Sequence, residues 1–120
     1  MVDDHFSVAT EAQEQKAFIG WLRNNGYLFV HPATEGRRSF RAAQHAKAMG
    51  ALETGVPDIL ILGKGITRIT IAIEMKRSDK SMSRVSPAQV TYLKRLTECG
   101  WDCHVAYGAV DAIGFVRSRT

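Results

Sequence analysis

Two neighbouring runs of residues along the chain have the period of β-strands. The first is the apolar stretch 58–62, and the second, 69–76, alternates isoleucine with smaller or polar residues. Gly63-Lys64-Gly65 between them supplies turn residues, so the two strands are predicted to form a hairpin. Because side chains at positions i and i+2 of a strand share one face, Glu74 and Lys76 are expected to project together, away from the isoleucines of the same run.

Helix-capping patterns and apolar periodicity predict the remaining elements. Thr10–Gln13 and Ser86–Gln89 each have a hydroxyl residue three positions before a glutamine, which is typical of a capping box, and Pro87 fits a first helical position. The further predicted elements are, in chain order, a helix from 10–13 to 24–26, a strand 27–31, a loop 32–38, a helix 39–50, a polar loop 77–85, a helix 86–100 with Val90, Leu93 and Leu96 facing inward, a strand 102–107 and a helix 110–117. This order predicts a mixed β-sheet covered by helices.

Three chemically complementary side chains converge in the predicted hairpin. Folding it back brings Asp58 close to the stretch 72–74, since directly opposed residues have Cβ atoms roughly 5 Å apart. Carboxylates such as Asp58 and Glu74 suit Mg²⁺ or Mn²⁺, ions that polarise phosphoryl oxygens and make water a stronger acid. Lys76 beside them can stabilise charge that develops on a phosphate. The alternative is a strand-end ion pair between Glu74 and Lys76, which contributes little if it is exposed.

The order of these motifs resembles a known family. Pro57-Asp58 followed by Glu74-Met75-Lys76 resembles the signature of the PD-(D/E)XK nucleases, and the wider context resembles their VRR-NUC branch, the virus-type replication and repair nucleases. Four further segments fit that branch in order, from about residue 10 to about residue 112: Glu11–Gln15 at the first helix start, His31–Arg38 in the loop before the site, Gly55–Asp58 at a turn, and Ser86–Gln89 at a helix start. Ala33-Thr34 departs from the pattern, since asparagine is expected there in many relatives, which affects the expected DNA contact and not the metal site.

The resemblance implies an α/β fold with a restriction-endonuclease-like PD-(D/E)XK core, in which helices flank a mixed β-sheet. The domain would be single, 1–120, with a core at about 10–112. Mg²⁺ or Mn²⁺ would be held by Asp58, Glu74 and the Met75 backbone carbonyl. Lys76 would assist the attacking water or stabilise phosphate charge. Gln89 would orient one of these groups or only complete the capping box.

Glu11 is a further candidate ligand on the first helix. At 100° per residue it lies at the centre of the face that Gln15, Phe18, Ile19 and Leu22 define. A carboxylate aimed at the core needs a partner, and a divalent ion would be one. The alternative is a hydrated acid in the first turn, where it favours the helix dipole. Glu14, about 60° from the centre of that face, is the competing candidate.

Charge and composition agree with a polyanionic partner without requiring one. The net charge is +4 and the isoelectric point about 9.3. The predicted DNA-contacting residues are the basic ones that flank the site in sequence: Arg37, Arg38, Arg41, Lys47, Arg77, Lys80 and Arg84. Lys94, Arg95, Arg117 and Arg119 are interpreted as ordinary surface. His31 and His45 are candidates for a phosphate contact or a general acid, but a strand-end or surface histidine is the favoured interpretation.

Several function classes are not expected. The chain has no apolar stretch of membrane-spanning length and no signal-peptide pattern, so a soluble cytoplasmic protein without membrane contact is expected. Gly63-Lys64-Gly65 lacks the pattern of a nucleotide-binding loop, so no nucleotide cofactor is expected. The resemblance also implies a bacterial or phage origin.

A metal-dependent DNA endonuclease is therefore predicted. The resemblance implies a role in DNA repair, branched DNA such as Holliday junctions as the substrate, and a homodimer. Large apolar residues near presumed helix ends and loops also favour the dimer: Phe40, Met49, Leu52, Trp101 and Phe115. One alternative is a non-catalytic nucleic-acid-binding module on the same fold. A second is an interaction subunit whose basic surface binds an acidic protein.

Overall fold

The chain combines three α-helices and four β-strands in its described part. In a computed structural model, which describes residues 8–32 and 54–120, the elements are α1 (Glu11–Asn24), β1 (Tyr27–Val30), β2 (Ile59–Lys64), β3 (Thr67–Lys76), α2 (Pro87–Glu98), β4 (Asp102–Tyr107) and α3 (Ala109–Arg119), with a short 3-10 turn at Lys80–Met82. The predicted helix 39–50 and nearly all of the predicted loop 32–38 lie outside the described residues. No helix in the described ranges is long and apolar enough to cross a membrane.

The four strands form one mixed sheet in the order β1-β2-β3-β4. β1, β2 and β3 are antiparallel neighbours, whereas β4 runs parallel to β3. Helices cover this sheet, so the predicted α/β architecture with a mixed sheet is confirmed.

The predicted hairpin is confirmed, but its turn is shorter than expected. Gly63 and Lys64 belong to β2, and the reversal falls at Gly65 and Ile66. Gly65 adopts a φ of 59°, which a glycine accepts without steric cost. The pairing register shifts between Ile61 and Gly63, where a Cβ on Gly63 would lie 2.9 Å from a backbone oxygen of β3. Because Gly63 has no side chain, β2 and β3 can stay paired through this shift in register.

The hydrophobic core lies between one face of the sheet and the helices α1 and α3. Its largest fully buried side chains come from both layers: Phe18, Leu22, Ile59, Ile61, Ile73, Met75 and Val116. The isoleucines of β3 face this core, as the strand period predicts. Glu74 and Lys76 consequently face the opposite side of the sheet, where the N-terminal end of α2 lies.

Helix starts agree with the capping patterns. The Thr10 hydroxyl accepts a hydrogen bond from the Gln13 N–H, the Ser86 hydroxyl accepts one from the Gln89 N–H, and both capping boxes are complete. The inward orientation predicted for Val90 is wrong, because this side chain is 53% exposed. Gln89, Leu93 and Leu96 share a face of α2, whereas Val90 points about 100° away from Gln89. The last strand begins and ends as predicted, and α3 extends slightly beyond its predicted range.

Candidate active site

Asp58 is fixed at the edge of the sheet where β2 begins. The register pairs Ile59 with Ile73, so the residue before β2 lies beside the end of β3. There the Asp58 Oδ2 atom accepts a hydrogen bond from the Met75 N–H at 2.7 Å. The hairpin thus brings Asp58 to the carboxyl-terminal end of β3, as the sequence predicts.

Glu74, Lys76 and Gln89 form one buried polar cluster. The exposed fraction is only 1% for Glu74 and 6% for Lys76. The Lys76 ammonium lies 3.6 Å from Glu74 Oε2 and donates a hydrogen bond to Gln89 Oε1 at 3.1 Å. Gln89 Nε2 in turn donates to Glu74 Oε2 at 2.7 Å. The strand-end pair is therefore not an exposed ion pair but part of a closed network.

The structure contains both sets of contacts expected for Gln89, those of the capping box and those with Glu74 and Lys76. Its Oε1 atom accepts from the Ser86 N–H at 2.8 Å, which completes the capping box, and the same oxygen accepts from Lys76. The helix start therefore holds the Gln89 amide in one orientation, in which it donates to Glu74 and accepts from Lys76. Gln89 is a positioning group for both residues.

Burial and neighbouring negative charge strongly perturb the Glu74 carboxyl. Burial, followed by the charge of Asp58, raises the pKa of Glu74 from 4.5 to about 8, against the lowering effect of Lys76. The charge of Glu11 raises this pKa further. Burial likewise raises the pKa of Glu11, whose charge interacts with Lys76 and Asp58. Without a cation, the site therefore favours a protonated Glu74 at neutral pH.

One oxygen of the cluster has no hydrogen-bond partner among the residues that the structure describes. Glu74 Oε1 is buried and accepts no hydrogen bond within the described part of the chain. A buried carboxylate oxygen without a partner is costly, and a divalent cation is one of the few groups that can satisfy it beside a second carboxylate. The pair of Asp58 and Glu74 therefore fits a hard cation.

The available oxygen ligands suit Mg²⁺ or Mn²⁺ better than a metal whose ligands all come from protein side chains. Among the residues that the structure describes, no three His, Cys, Asp or Glu side chains form a ready metal-binding group. Mg²⁺ is commonly held by one or two carboxylates, with waters and substrate phosphates completing the shell. In a strand, the N–H and C=O of one residue point to the same edge, so the Met75 carbonyl faces the Asp58 side and can add an oxygen.

The structure separates the two acidic candidates of α1. Glu14 Oε1 accepts a hydrogen bond from the Ala109 N–H at 2.8 Å and so caps the N-terminus of α3, where Gly108 offers no side chain. Glu11 is half-buried and interacts electrostatically with Asp58, Glu74 and Lys76. Glu11 is therefore the acid of α1 that lies near the cluster.

The turn before Asp58 packs directly on the start of α2. Gly55 has a φ of 89°, and a Cβ on it would lie 2.4 Å from the Ala88 backbone oxygen. Only glycine fits here, because any side chain would both strain the backbone and collide with α2. This contact sets the distance between the segment that carries Asp58 and the helix that carries Gln89.

Gly55→Ala is expected to destabilise the protein by about 2 kcal/mol or more, because the left-handed conformation and the collision with α2 add together. Gly65→Ala is the matched control, since Gly65 also has a positive φ but open space around its Cβ position. We expect thermal melting to place Gly55→Ala about 5 °C or more below Gly65→Ala. Equal melting temperatures would show that α2 does not require the close approach.

His31, which the sequence suggests is a strand-end or surface residue, lies next to the candidate site. Its Nδ1 atom lies 2.7 Å from the backbone carbonyl oxygen of Asp58, and its Nε2 atom lies 3.5 Å from the Gln15 amide nitrogen. The histidine therefore links the segment that carries Asp58 to α1. Its position between the end of β1 and Pro32 was the available signal, but only the pairing of β1 with β2 puts it beside Asp58.

The three predicted DNA-contacting residues that lie in the described ranges differ in their contacts and exposure. The Arg77 guanidinium donates to the backbone carbonyls of Val8 and Ala9, so it holds the segment before α1. Lys80 lies 5.0 Å from the centre of the Tyr107 ring, and Arg84 is exposed. The remaining predicted residues lie outside the described ranges: Arg37, Arg38, Arg41 and Lys47.

A comparison with protein-family models identifies the family of this chain. The family model described as the VRR-NUC domain matches residues 9–110. A solved structure named VRR_NUC domain protein is similar to 92% of this chain and to 88% of its own chain, with 23% sequence identity and a TM-score of 0.65. At that identity the likeness concerns the fold alone. No curated protein matches the chain.

Proposed function

This chain belongs to the VRR-NUC family, a family of nuclease domains, and from that premise we propose that it is a Mg²⁺- or Mn²⁺-dependent DNA endonuclease. The observation that carries the proposal is the cluster of Asp58, Glu74, Lys76 and Gln89, in which Glu74 and Lys76 are buried and one Glu74 oxygen has no partner among the described residues. A strand-end ion pair needs neither a second carboxylate nor an unsatisfied oxygen. Both are useful to a protein that binds a cation beside a phosphate.

Asp58, Glu74 and the Met75 carbonyl would hold the cation, with Glu11 completing the shell directly or through water. When bound, a divalent ion supplies positive charge that polarises a phosphoryl oxygen and makes water a stronger acid. Binding it requires Glu74 to release the proton that burial and Asp58 favour. Metal affinity should therefore increase with pH up to about 8, the pKa of Glu74 in the absence of metal.

Lys76 would act on the phosphate, and Gln89 would hold Lys76 in position. The Lys76 ammonium is held by Gln89 Oε1 and lies near Glu74, so its charge is fixed in place before substrate binds. A fixed ammonium stabilises the negative charge that grows on the phosphate during hydrolysis, without reorganisation at the moment of reaction. Gln89 positions both Lys76 and Glu74 and does not itself need to contact substrate.

Branched DNA is the proposed substrate and a homodimer the proposed assembly. One domain of this size can place one active site on one strand, whereas a four-way junction is resolved by two symmetric cuts. A two-fold dimer supplies two such sites. Of the apolar residues that favour a dimer, Trp101 and Phe115 are only partly buried in this chain, and the others lie outside the described residues.

The proposal predicts cutting that depends on both metal and DNA shape. Purified protein is incubated with matched linear, flapped and four-way DNA in Mg²⁺, Mn²⁺ or EDTA. We expect cleavage with either metal, none in EDTA, and faster cleavage of the branched DNA. Sedimentation equilibrium at micromolar protein should give twice the monomer mass of 13.3 kDa.

Each outcome discriminates between functions. Binding without cleavage in either metal would favour the non-catalytic nucleic-acid-binding module. Equal cleavage of all three DNA shapes would remove the branch preference and leave the endonuclease. A monomer mass that junction DNA does not change would remove the paired-cut mechanism.

A further inference from the structure

A groove runs along α1 beside His31, which follows the end of β1. It encloses about 480 Å³ and is lined mainly by Gln15, Lys16, Ile19, Gly20, Arg23 and His31. The lining residues of α1 recur at intervals of three and four, so they form one continuous stripe along the helix. Gly20 has open space where a side chain would be, which leaves the helix backbone accessible there.

The groove begins at the candidate active site. A backbone carbonyl only accepts hydrogen bonds, so His31 Nδ1–H donates to Asp58 and His31 Nε2 is turned towards Gln15. Gln15 lies one helical turn after Glu11, which interacts with Asp58 and Lys76. A molecule bound at the metal site therefore enters this groove if it continues past His31.

The charge of the groove is positive. Lys16 and Arg23 line it, both are exposed, and no carboxylate among the described residues lines it with them. Arg23 lies 5.9 Å from the centre of the Phe29 ring, a contact that holds its guanidinium near β1. Lys16 and Arg23 are seven residues apart, about 10 Å along the helix axis, so the two side chains can reach different phosphates of one strand.

We propose that this groove binds the phosphodiester backbone of the DNA strand that flanks the cleaved bond. Lys16 and Arg23 contact phosphates, and the Gln15 amide, which precedes Lys16 along α1, donates to a backbone oxygen nearer the metal site. His31 is a positioning residue, because it fixes the end of the groove to the segment that carries Asp58. The inference rests on the proposed endonuclease function, and it adds a contact surface to the basic residues predicted from the sequence.

The test is the salt dependence of DNA binding by the full chain in EDTA, where no cleavage is expected. Lys16→Ala combined with Arg23→Ala should weaken binding and reduce the slope of log K against log salt by about two, since each lost phosphate contact contributes about 0.9. The matched control is Lys94→Ala combined with Arg117→Ala, which removes the same charge from exposed positions on α2 and α3. It should leave the slope nearly unchanged.

Single variants and a folding check keep the result interpretable. Lys16→Gln and Arg23→Gln, made separately, should each reduce the slope by about one. Thermal melts of all variants should match that of the wild type, because these side chains are exposed. The groove proposal would be overturned if the double variant bound DNA with the same salt slope as the control variant. It would also be overturned if the wild type did not bind DNA.

Failure of the groove and failure of the proposed function are distinguishable. If the wild type cleaves DNA with metal but the groove variant has the control's slope, the groove is wrong and the endonuclease stands. If the wild type binds DNA in the predicted manner but never cleaves it, the groove stands as a nucleic-acid surface and the endonuclease is wrong.

Discussion

Glu74→Gln is expected to abolish DNA cleavage and, at the same time, to raise the melting temperature of the metal-free protein at pH 8. The loss of cleavage follows from the proposed metal site, because an amide is a far weaker ligand for Mg²⁺ or Mn²⁺ than a carboxylate. The gain in stability follows from the cost of burying Glu74 beside Asp58. A buried carboxylate that lowers the stability of the folded protein is explained better by cation binding than by a structural role.

The geometry indicates that glutamine fits at this position. Its side-chain oxygen can accept the hydrogen bond that Gln89 now donates to Glu74, and its amide nitrogen can donate to Asp58. Asp58 also keeps its hydrogen bond from the Met75 N–H. The substitution therefore removes a charge and leaves the hydrogen-bond pattern largely intact.

The pH dependence has a definite sign. The folded protein holds a proton on Glu74 up to a pKa of about 8, whereas the unfolded chain releases it near 4.5. The stability contributed by this protonated group is present below pH 4.5 and is lost as the pH rises from 4.5 through about 8. Above that range the wild type carries the full cost, and we expect Glu74→Gln to be more stable there by an amount on the order of 2 kcal/mol, after allowance for Lys76 and solvent screening.

Thermal melts between pH 5 and pH 9, with and without Mn²⁺, measure both effects. The wild type should lose stability with pH in EDTA and regain it with metal, because an ion that binds only the folded state stabilises it. Glu74→Gln should show a flatter pH dependence and little gain from metal. Asp58→Asn is the companion variant, since asparagine can still accept from Met75, and it should also abolish cleavage. Full cleavage by either folded variant would contradict the assignment of the metal ligands.

Lys76→Met is expected to slow cleavage by about 10²–10³-fold while the protein still binds metal. That range is typical of the loss of one fixed electrostatic stabiliser. Methionine has nearly the length of the buried lysine stem, so the space between β3 and α2 should accommodate it. Since Lys76 lowers the pKa of Glu74, its loss should also move the onset of metal binding to higher pH.

Calorimetric metal titrations at pH 7 and pH 9, beside single-turnover cleavage, separate these effects. We expect the difference in metal affinity to narrow from pH 7 to pH 9, because Glu74 ionises in both proteins as the pH rises. Lys64→Met is the matched control, because Lys64 is an exposed lysine at the far end of β2. If Lys76→Met lost metal affinity at pH 9 while remaining folded, Lys76 would be a support for the metal site and not a stabiliser of phosphate charge.

Local patterns in the sequence determined the elements and the order of the candidate site. Both capping boxes and the hairpin follow from interactions within a few residues, and so does the common face of Glu74 and Lys76. Such features depend on backbone geometry and side-chain period, which the sequence specifies directly. The turn at Gly65 and the exposure of Val90 were missed because packing decides where a strand bulges and which face of a helix is buried.

Contacts between distant segments were decided only by the tertiary structure. The sequence places Glu11 and Glu14 on nearly the same face of α1, but the packing of α3 engages Glu14 and leaves Glu11 near Asp58. The link from His31 to Asp58 joins segments 27 residues apart, and its existence depends on the register between β1 and β2. Burial, too, belongs to the assembled fold, because the raised pKa of Glu74 comes from the layers that remove it from water.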